Sequence, residues 1–292
     1  VLFDCFPDGR NVLGGAPFNV AWNLQGLGHE PTLVTAVGRD DPGEVVRCKM
    51  AGWGLSTEGL QVSERWPTGT VQVKLQDGQP AFEILADQAY DDIGFPGFPV
   101  SPDRFSLLYF GSLAYRSEVS RKTIQHLMQE SQLPRFVDIN IRQPWFDMEW
   151  IPQLLDGSRW IKLNDAELSY ITGMPSKTET EIKTAVNQLH SEHGGEHYFI
   201  TCGATGAYAF NFSKTASHVF AEAPKPEPLL DAVGAGDALT AAMIHGISQN
   251  QALDKVLDFA VRFASRICTI RGATTENREF YQQETDSADK YN

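Results

Sequence analysis

Beyond Ser101, short apolar runs alternate with longer runs of helical period, and this alternation constrains the fold more than any other feature. Residues 105–110, 135–139, 160–163 and 197–201 read as strands. Residues 119–132 and 179–193 read as helices, and Asn164-Asp165-Ala166-Glu167 opens another. Residues 207–212 return antiparallel to 197–201 across the turn 202–206, and 253–270 reads as a long helix. Repeated strand–helix units require a mostly parallel sheet, because a parallel crossover needs a helix-length connection. Both faces of that sheet must then be covered by helices. The chain therefore reads as α/β, a three-layer α/β/α sandwich formed as a single domain over 1–292.

The N-terminal third prepares this pattern and then departs from it. Residues 1–6 read as the end of a strand closed by Pro7-Asp8-Gly9, so further residues are expected upstream of Val1. Val20, Leu24 and Leu27 share one helical face, with Gly28 as the stop. Residues 31–38 hold a buried strand, and 42–54 a helix ending near Gly52. From about 55 to 87 the period changes to two. Thr70 to Leu75 alternates, Asp77-Gly78 is a hairpin turn, and Ala81 to Leu85 forms the return strand. A lone hairpin is marginal, so this insert must pack on the body or on another copy. An inserted sheet with one apolar face is expected as a small β-sheet lid, with residues 6–13 as a second contributor. The tail, 275–292, is polar and reads as frayed or as a last, poorly packed helix.

The formal net charge of −13, without a basic run, argues against nucleic acid or an anionic membrane surface as the main partner. Cys5, Cys48, Cys202 and Cys268 are far apart and form no CxxC pair, so a reducing cytoplasm is the expected location. No apolar run is long enough to span a bilayer.

The chemistry is concentrated in Asp231-Ala232-Val233-Gly234-Ala235-Gly236-Asp237, which feeds an Ala-rich apolar helix. Gly234 and Gly236 allow backbone to approach a ligand, and the helix start supplies unpaired N–H groups and a positive dipole end. Together these make an anion site, with phosphate the common anion. Asp237 is either a helix cap or a base that takes a proton from a hydroxyl attacking the phosphate. Gly14-Gly15 precedes a second helix start. Ligands of such sheets bind beyond the carboxyl ends of the strands, where Asp4, Asp138, Asn140, Arg142, Asn164 and Thr201 all fall. Asn164-x-x-Glu167 reads locally as a capping box, with a water-mediated Mg²⁺ role for Glu167 as the alternative. Beside Asp138 and Asn140, Arg142 becomes a candidate phosphate clamp. His190, His193 and His197 match no zinc spacing and read as a solvated helix end. No P-loop, G-x-G-x-x-G or G-x-S-x-G pattern is present.

Taken together, these residues resemble the ribokinase-like (PfkB) carbohydrate kinases, most closely the fructokinases. Gly14-Gly15-Ala16-Pro17-Phe18-Asn19 is similar to the N-terminal signature of that family, and Asp231 to Asp237 to its C-terminal one. Pro67 to Val71, Ala89-Tyr90-Asp91, Gly111-Ser112-Leu113, Asp138-x-Asn140-x-Arg142 and Lys162-Leu163-Asn164-x-x-Glu167 follow in register. The resemblance implies transfer of the ATP γ-phosphoryl group to a sugar hydroxyl, with D-fructose giving fructose 6-phosphate. It implies Asp237 as base and the backbone of Gly234, Ala235, Gly236 and Asp237 as anion hole, with Arg142 contacting sugar or phosphate. Asp4, Gly14, Gly15 and Asn19 would bind the sugar. Asn164, Thr201, Gly203, Gly206, Gly234 and Gly236 would bind the nucleotide. Glu167 would meet Mg²⁺ through water, and oxygens of Asp231, Ala232 and Ala273 would hold K⁺. A homodimer through the lid is implied as well. Phe18 stands where a small residue is common and is expected to narrow the sugar side, while Ala232 replaces a common Thr. The alternatives are a kinase for 2-keto-3-deoxygluconate, ribose or a nucleoside, and a non-catalytic regulatory member of the family.

Overall fold

The computed structural model describes residues 1–76 and 79–289. The first half holds β1 (Leu2–Cys5), β2 (Asn11–Gly14), α1 (Ala16–Gly26), β3 (Thr35–Gly38), α2 (Asp41–Trp53), β4 (Leu60–Ser63), β5 (Gly69–Gln76), β6 (Gln79–Ile84) and β7 (Leu108–Gly111). The second half holds α3 (Glu118–Glu130), β8 (Arg135–Asp138), α4 (Ile151–Leu155), β9 (Trp160–Asn164), α5 (Asp165–Thr172), α6 (Glu179–His193), β10 (His197–Thr201), β11 (Gly206–Asn211) and β12 (Ser217–Glu222). The chain then closes with α7 (Ala235–Ser248), α8 (Leu253–Ile267) and α9 (Arg278–Asp289). Among the described residues no helix is long and apolar enough to cross a membrane.

The main sheet runs β12-β11-β10-β9-β8-β7. Pairs from β7 to β10 are parallel, and β11 and β12 close the far edge antiparallel. Residues alternate between its two buried faces. Phe136, Trp160 and Phe199 enter one core with α1, α7 and α8. Val137, Ile161, Tyr198 and Ile200 enter the other with α5 and α6. Strands buried on both faces are the mark of a helix-covered parallel sheet, and each large apolar side chain so buried contributes about 1.5–3 kcal/mol. The three layers expected from the alternation are present. Sequence-local signals set the helix starts: Asp40 accepts the Gly43 N–H at α2, and Thr178 and Glu181 form a reciprocal capping box at α6.

The stretch from 55 to 87 divides. β4 pairs parallel with β3 in a separate two-stranded sheet. β5 and β6 join β1 and β2 in a four-stranded sheet of order β2-β1-β5-β6. The expected hairpin exists as an antiparallel β5–β6 pair, while its Asp77-Gly78 turn lies outside the described residues. One face of this sheet packs Leu2 and Val71 on Ala36, Tyr90 and Ile93. β12 and α4 were not anticipated. β12 is a half-exposed edge strand, and α4 is a single Pro-initiated turn too short to show helical period. The tail expected to be frayed or poorly packed is anchored in the first turn of α9. Phe280 and Tyr281 are buried, and the Tyr281 hydroxyl donates to Asn23 Oδ1 at 2.9 Å.

Candidate active site

The turn before α7 is built by backbone geometry. Gly234 is the N-cap, with φ of 81° in the left-handed region, and a Cβ there would collide with Ala273. Asp231 ties this turn to the following loop. Its Oδ1 accepts the Val233 N–H at 3.0 Å, and its Oδ2 the Gly272 N–H at 3.0 Å. Helix geometry leaves the first-turn N–H groups of Gly236 and Asp237 without an acceptor four residues back, at the positive end of the dipole. Asp237 is therefore not the cap. Its Oδ2 instead accepts the Asn19 Nδ2–H from α1 at 2.7 Å.

Around Asp237 the sugar-side residues converge. Gly14 sits where a Cβ would be 3.6 Å from Asn19 Oδ1 and 3.8 Å from Asp4 Oδ2. Asn19 Oδ1 is buried without a partner among the described residues, free to accept from a ligand. Asp4, Gly15, Arg142, Gly234, Gly236 and Asp237 line one cavity of about 970 Å³, which also runs along β3 and β7 between the two sheets. Burial pushes the Asp237 carboxyl above the usual carboxylate range. The Asn19 hydrogen bond pulls it down, Asp138 pushes it up, and Lys162 and Arg142 pull it down. Burial likewise pushes Asp4 up to about 6, opposed by Arg142 and assisted by Asp237. Arg142 is exposed, its Nη1 donating to the Ile141 carbonyl at 3.1 Å. Phe18 does not narrow the sugar side. It is buried in the core against Trp22, with ring centroids 5.4 Å apart, because helical spacing turns it away from the face that carries Asn19.

Lys162 and Asp138 were not singled out for a role of their own. The Lys162 ammonium donates to Asp138 Oδ2 at 2.7 Å, and the Thr240 hydroxyl of α7 lies 3.0 Å from the same oxygen. The available signal was a lysine inside the apolar run Trp160-Ile161-Lys162-Leu163, since lysine is almost never fully buried unless paired.

Of the residues assigned to nucleotide, Gly234 and Gly236 line this cavity, whereas Asn164, Thr201, Gly203 and Gly206 form a second group that does not. Asn164 and Thr201 are register partners across β9 and β10, and Gly203 and Gly206 bracket the turn into β11. Asn164 caps α5 by accepting the Glu167 N–H at 2.8 Å. The Glu167 carboxylate accepts two backbone N–H groups, from Asn164 and Ile141, each at 2.8 Å. Burial raises its pKa against those two bonds.

Two groups implied by the family can be set against these donors. Among the described residues, no cluster of three or more His, Cys, Asp or Glu could hold a metal. Glu167 is committed to the backbone, which leaves only second lone pairs and suits contact with Mg²⁺ through water. The Asp231 carboxylate and the carbonyls of Ala232 and Ala273 are hard oxygens of the type a monovalent cation takes. Each already accepts a hydrogen bond, from Val233 and Gly272, from Ala235 and from Asn23 respectively, and keeps a second lone pair. Both sets fit these groups.

The pfkB family carbohydrate kinase model matches residues 6–279. The chain belongs to that family. A putative sugar kinase of Pyrococcus horikoshii is 30% identical over 278 residues, covering 91% of this chain and 84% of that protein. Its structure in complex with ATP matches with a TM-score of 0.78 at 24% identity, covering 98% of this chain and 97% of that one. A fructokinase of Klebsiella pneumoniae is 28% identical over 298 residues, 94% of this chain and 92% of that one. A fructokinase of Vibrio cholerae with fructose, ADP and calcium bound matches with a TM-score of 0.75 at 22% identity, covering 96% and 95%. Ribokinase-like kinases thus share the fold, and this pfkB-family member is a carbohydrate kinase, a transferase.

Proposed function

We propose that this kinase transfers the γ-phosphoryl group of ATP to a hydroxyl of a small neutral sugar, with D-fructose to fructose 6-phosphate as the leading reaction. One observation carries the reading: a single carboxylate, Asp237, sits in the first turn of α7 beside free N–H groups, aligned by Asn19 at 2.7 Å. Asp237 would take the hydroxyl proton, and the backbone from Gly234 to Asp237 would stabilise charge on the moving phosphoryl group. Asp4, Gly14, Gly15 and Asn19 would hold the sugar, and Arg142 would screen the incoming phosphate. Asn164, Thr201, Gly203 and Gly206 would bind nucleotide, a reading supported by the existence of an ATP complex of the pyrococcal relative. Mg²⁺ would travel with the phosphates and meet Glu167 through water, and K⁺ would brace the Asp231–Ala273 turn.

A neutral sugar is favoured over a sugar acid such as 2-keto-3-deoxygluconate by the fate of the nearby cations. Arg116 is held by Asp91, Lys74 pairs with Glu83 at 2.5 Å, and Arg65 stacks over Trp66. Arg116 and Lys74 are thus already paired with carboxylates of the chain, while the Arg65 stack leaves its N–H groups open and Arg142 lines the cavity, so a sugar acid stays among the acceptors tested. The four-stranded sheet would act as a lid that excludes water from the phosphoryl group, and as the surface through which two copies pair. The four cysteines are all free thiols, which suits a reducing cytoplasm.

The test is ADP formation with Mg-ATP and K⁺ across fructose, ribose, glucose, adenosine and 2-keto-3-deoxygluconate, with Asp237→Asn in parallel. Preference for fructose is expected, as is an Asp237→Asn loss of about 10²–10⁴-fold in kcat with ATP binding retained. Preference for another acceptor would discard fructose and keep the kinase. Near-normal turnover in folded Asp237→Asn would remove Asp237 as base.

A further inference from the structure

Of the two cations among the described residues that act on Asp237, Lys162 and Arg142, Lys162 is the one the fold fixes in place. It is 6% exposed, its ammonium donating to the Asp138 carboxylate at 2.7 Å, and Asp138 is itself 1% exposed. The pair touches α7 twice. Thr240, one helical turn beyond Asp237, lies 3.0 Å from Asp138 Oδ2, and a Cβ on Gly236 would lie 3.9 Å from Lys162 Nζ. The charged or titratable groups that act on Asp237 or feel its charge are Asp4 on β1, Tyr109 on β7, Asp138 on β8, Arg142 beyond it and Lys162 on β9. Three carboxylates therefore share this space with two cations, and one of those, Arg142, is exposed and screened by solvent.

We propose that Lys162 is a positioning residue: its ammonium cancels the Asp138 charge behind Asp237, which keeps the catalytic carboxylate ionised, while Asp138 anchors the first turn of α7 through Thr240. The inference rests on Asp237 being the base. A buried ion pair is weak ground for stability alone, because apolar residues of the same volume pack as well or better. Its value here is local charge balance. Without the ammonium, Asp138 stands as an uncompensated anion beside a second buried carboxylate, and like charges drive carboxyl pKa values up. Without Asp138, the ammonium acts on Asp237 and Glu167 and drives the Asp237 pKa down.

The experiment is the pH profile of kcat/KM for the sugar at saturating Mg-ATP, whose acid limb reports the base in the enzyme before sugar binds. Lys162→Met is expected to move that limb up by about one pH unit or more. Asp138→Asn is expected to move it down, and Lys162→Met/Asp138→Asn to bring it back to within about 0.3 unit of the parent. Lys162→Arg, which keeps the charge, is expected to hold the limb. A purely structural pair would lower kcat in the single variants without moving the limb, and that result overturns the proposal. So does a shift that persists in the double variant. If Lys162→Met does not fold, Asp138→Asn still decides, since its buried ammonium keeps the Glu167 and Asp237 carboxylates as counter-charges; an unmoved limb in Asp138→Asn overturns the inference. Turnover retained in Asp237→Asn sinks the base reading itself. Loss of turnover there, together with an unmoved limb in Lys162→Met, sinks only the role of Lys162.

Discussion

Asp4 couples the stability of the fold to pH through the cost of its burial. Its carboxyl is raised to about 6, so the folded protein holds it protonated over a range where the unfolded chain has already ionised it. A raised folded pKa means stability that is full below the unfolded value of 3.8 and lost as pH rises through about 6. Asp4→Asn removes that loss. The variant should melt higher than the parent at pH 8 and at the same temperature near pH 3, with a raised KM for sugar at both neutral and alkaline pH. Equal melting at pH 8 would show that the carboxyl carries no such cost. The same scale shows what sequence reading reaches. Gly14, Asn19 and Asp237 stand in motifs that name them one at a time, readable because of their backbone constraints, while Asp4 was read from its place at a strand exit. The direction in which Phe18 points was not legible, since one position of helical phase separates a cavity wall from the core. The partner of Lys162 was not legible either, because Asp138 reaches it only across neighbouring strands.

At the scale of elements, the four-stranded sheet is tied to the body by one buried arginine. Arg116 donates to both oxygens of Asp91 at 2.8 and 2.7 Å and to the Leu85 carbonyl at 2.6 Å. Its guanidinium also lies 4.3 Å from the Trp145 ring centroid, while the Trp145 indole N–H donates to the Ile84 carbonyl at 3.1 Å. These contacts fix the exit of β6. With Asp91 9% and Arg116 6% exposed, removing one partner leaves the other buried and uncompensated. Arg116→Ala is therefore expected to cost about 3–5 kcal/mol in chemical denaturation. A change below about 1 kcal/mol would place the sheet's attachment elsewhere. Element type from β7 to β11 was legible from periodicity, because these strands carry apolar runs and the helices between them are mostly long, whereas the half-exposed edge strand β12 and the five-residue α4 were not. The four-stranded sheet was legible only in part. The β5–β6 hairpin has local turn chemistry, whereas pairing of β5 with β1 joins residues far apart in sequence, which no local pattern encodes.

For the molecule as a whole, the division of strands between a main sheet and two smaller ones sets what faces outward. Phe82 on β6 is 50% exposed, an apolar ring on the cavity-facing side of the sheet read here as a lid, beside Ile84 and opposite Val73 but not covered by the body. Sedimentation should find the parent as a dimer and Phe82→Asp as a monomer. A monomeric parent would remove the lid from the interface. Overall charge was legible and bounded the partners, whereas the separation of β3 and β4 from the main sheet left no mark in composition or period. The residues of α7 from Ala238 to Gly246 are all buried, and the helix packs between α1 and α8. A segment so enclosed opens only when everything around it opens, so its amide hydrogens should be among the last to exchange with solvent. The turn that carries Asp237 is covalently the head of that segment. On heating, the enzyme should therefore keep its chemistry until the whole fold gives way, with inactivation and melting following one curve.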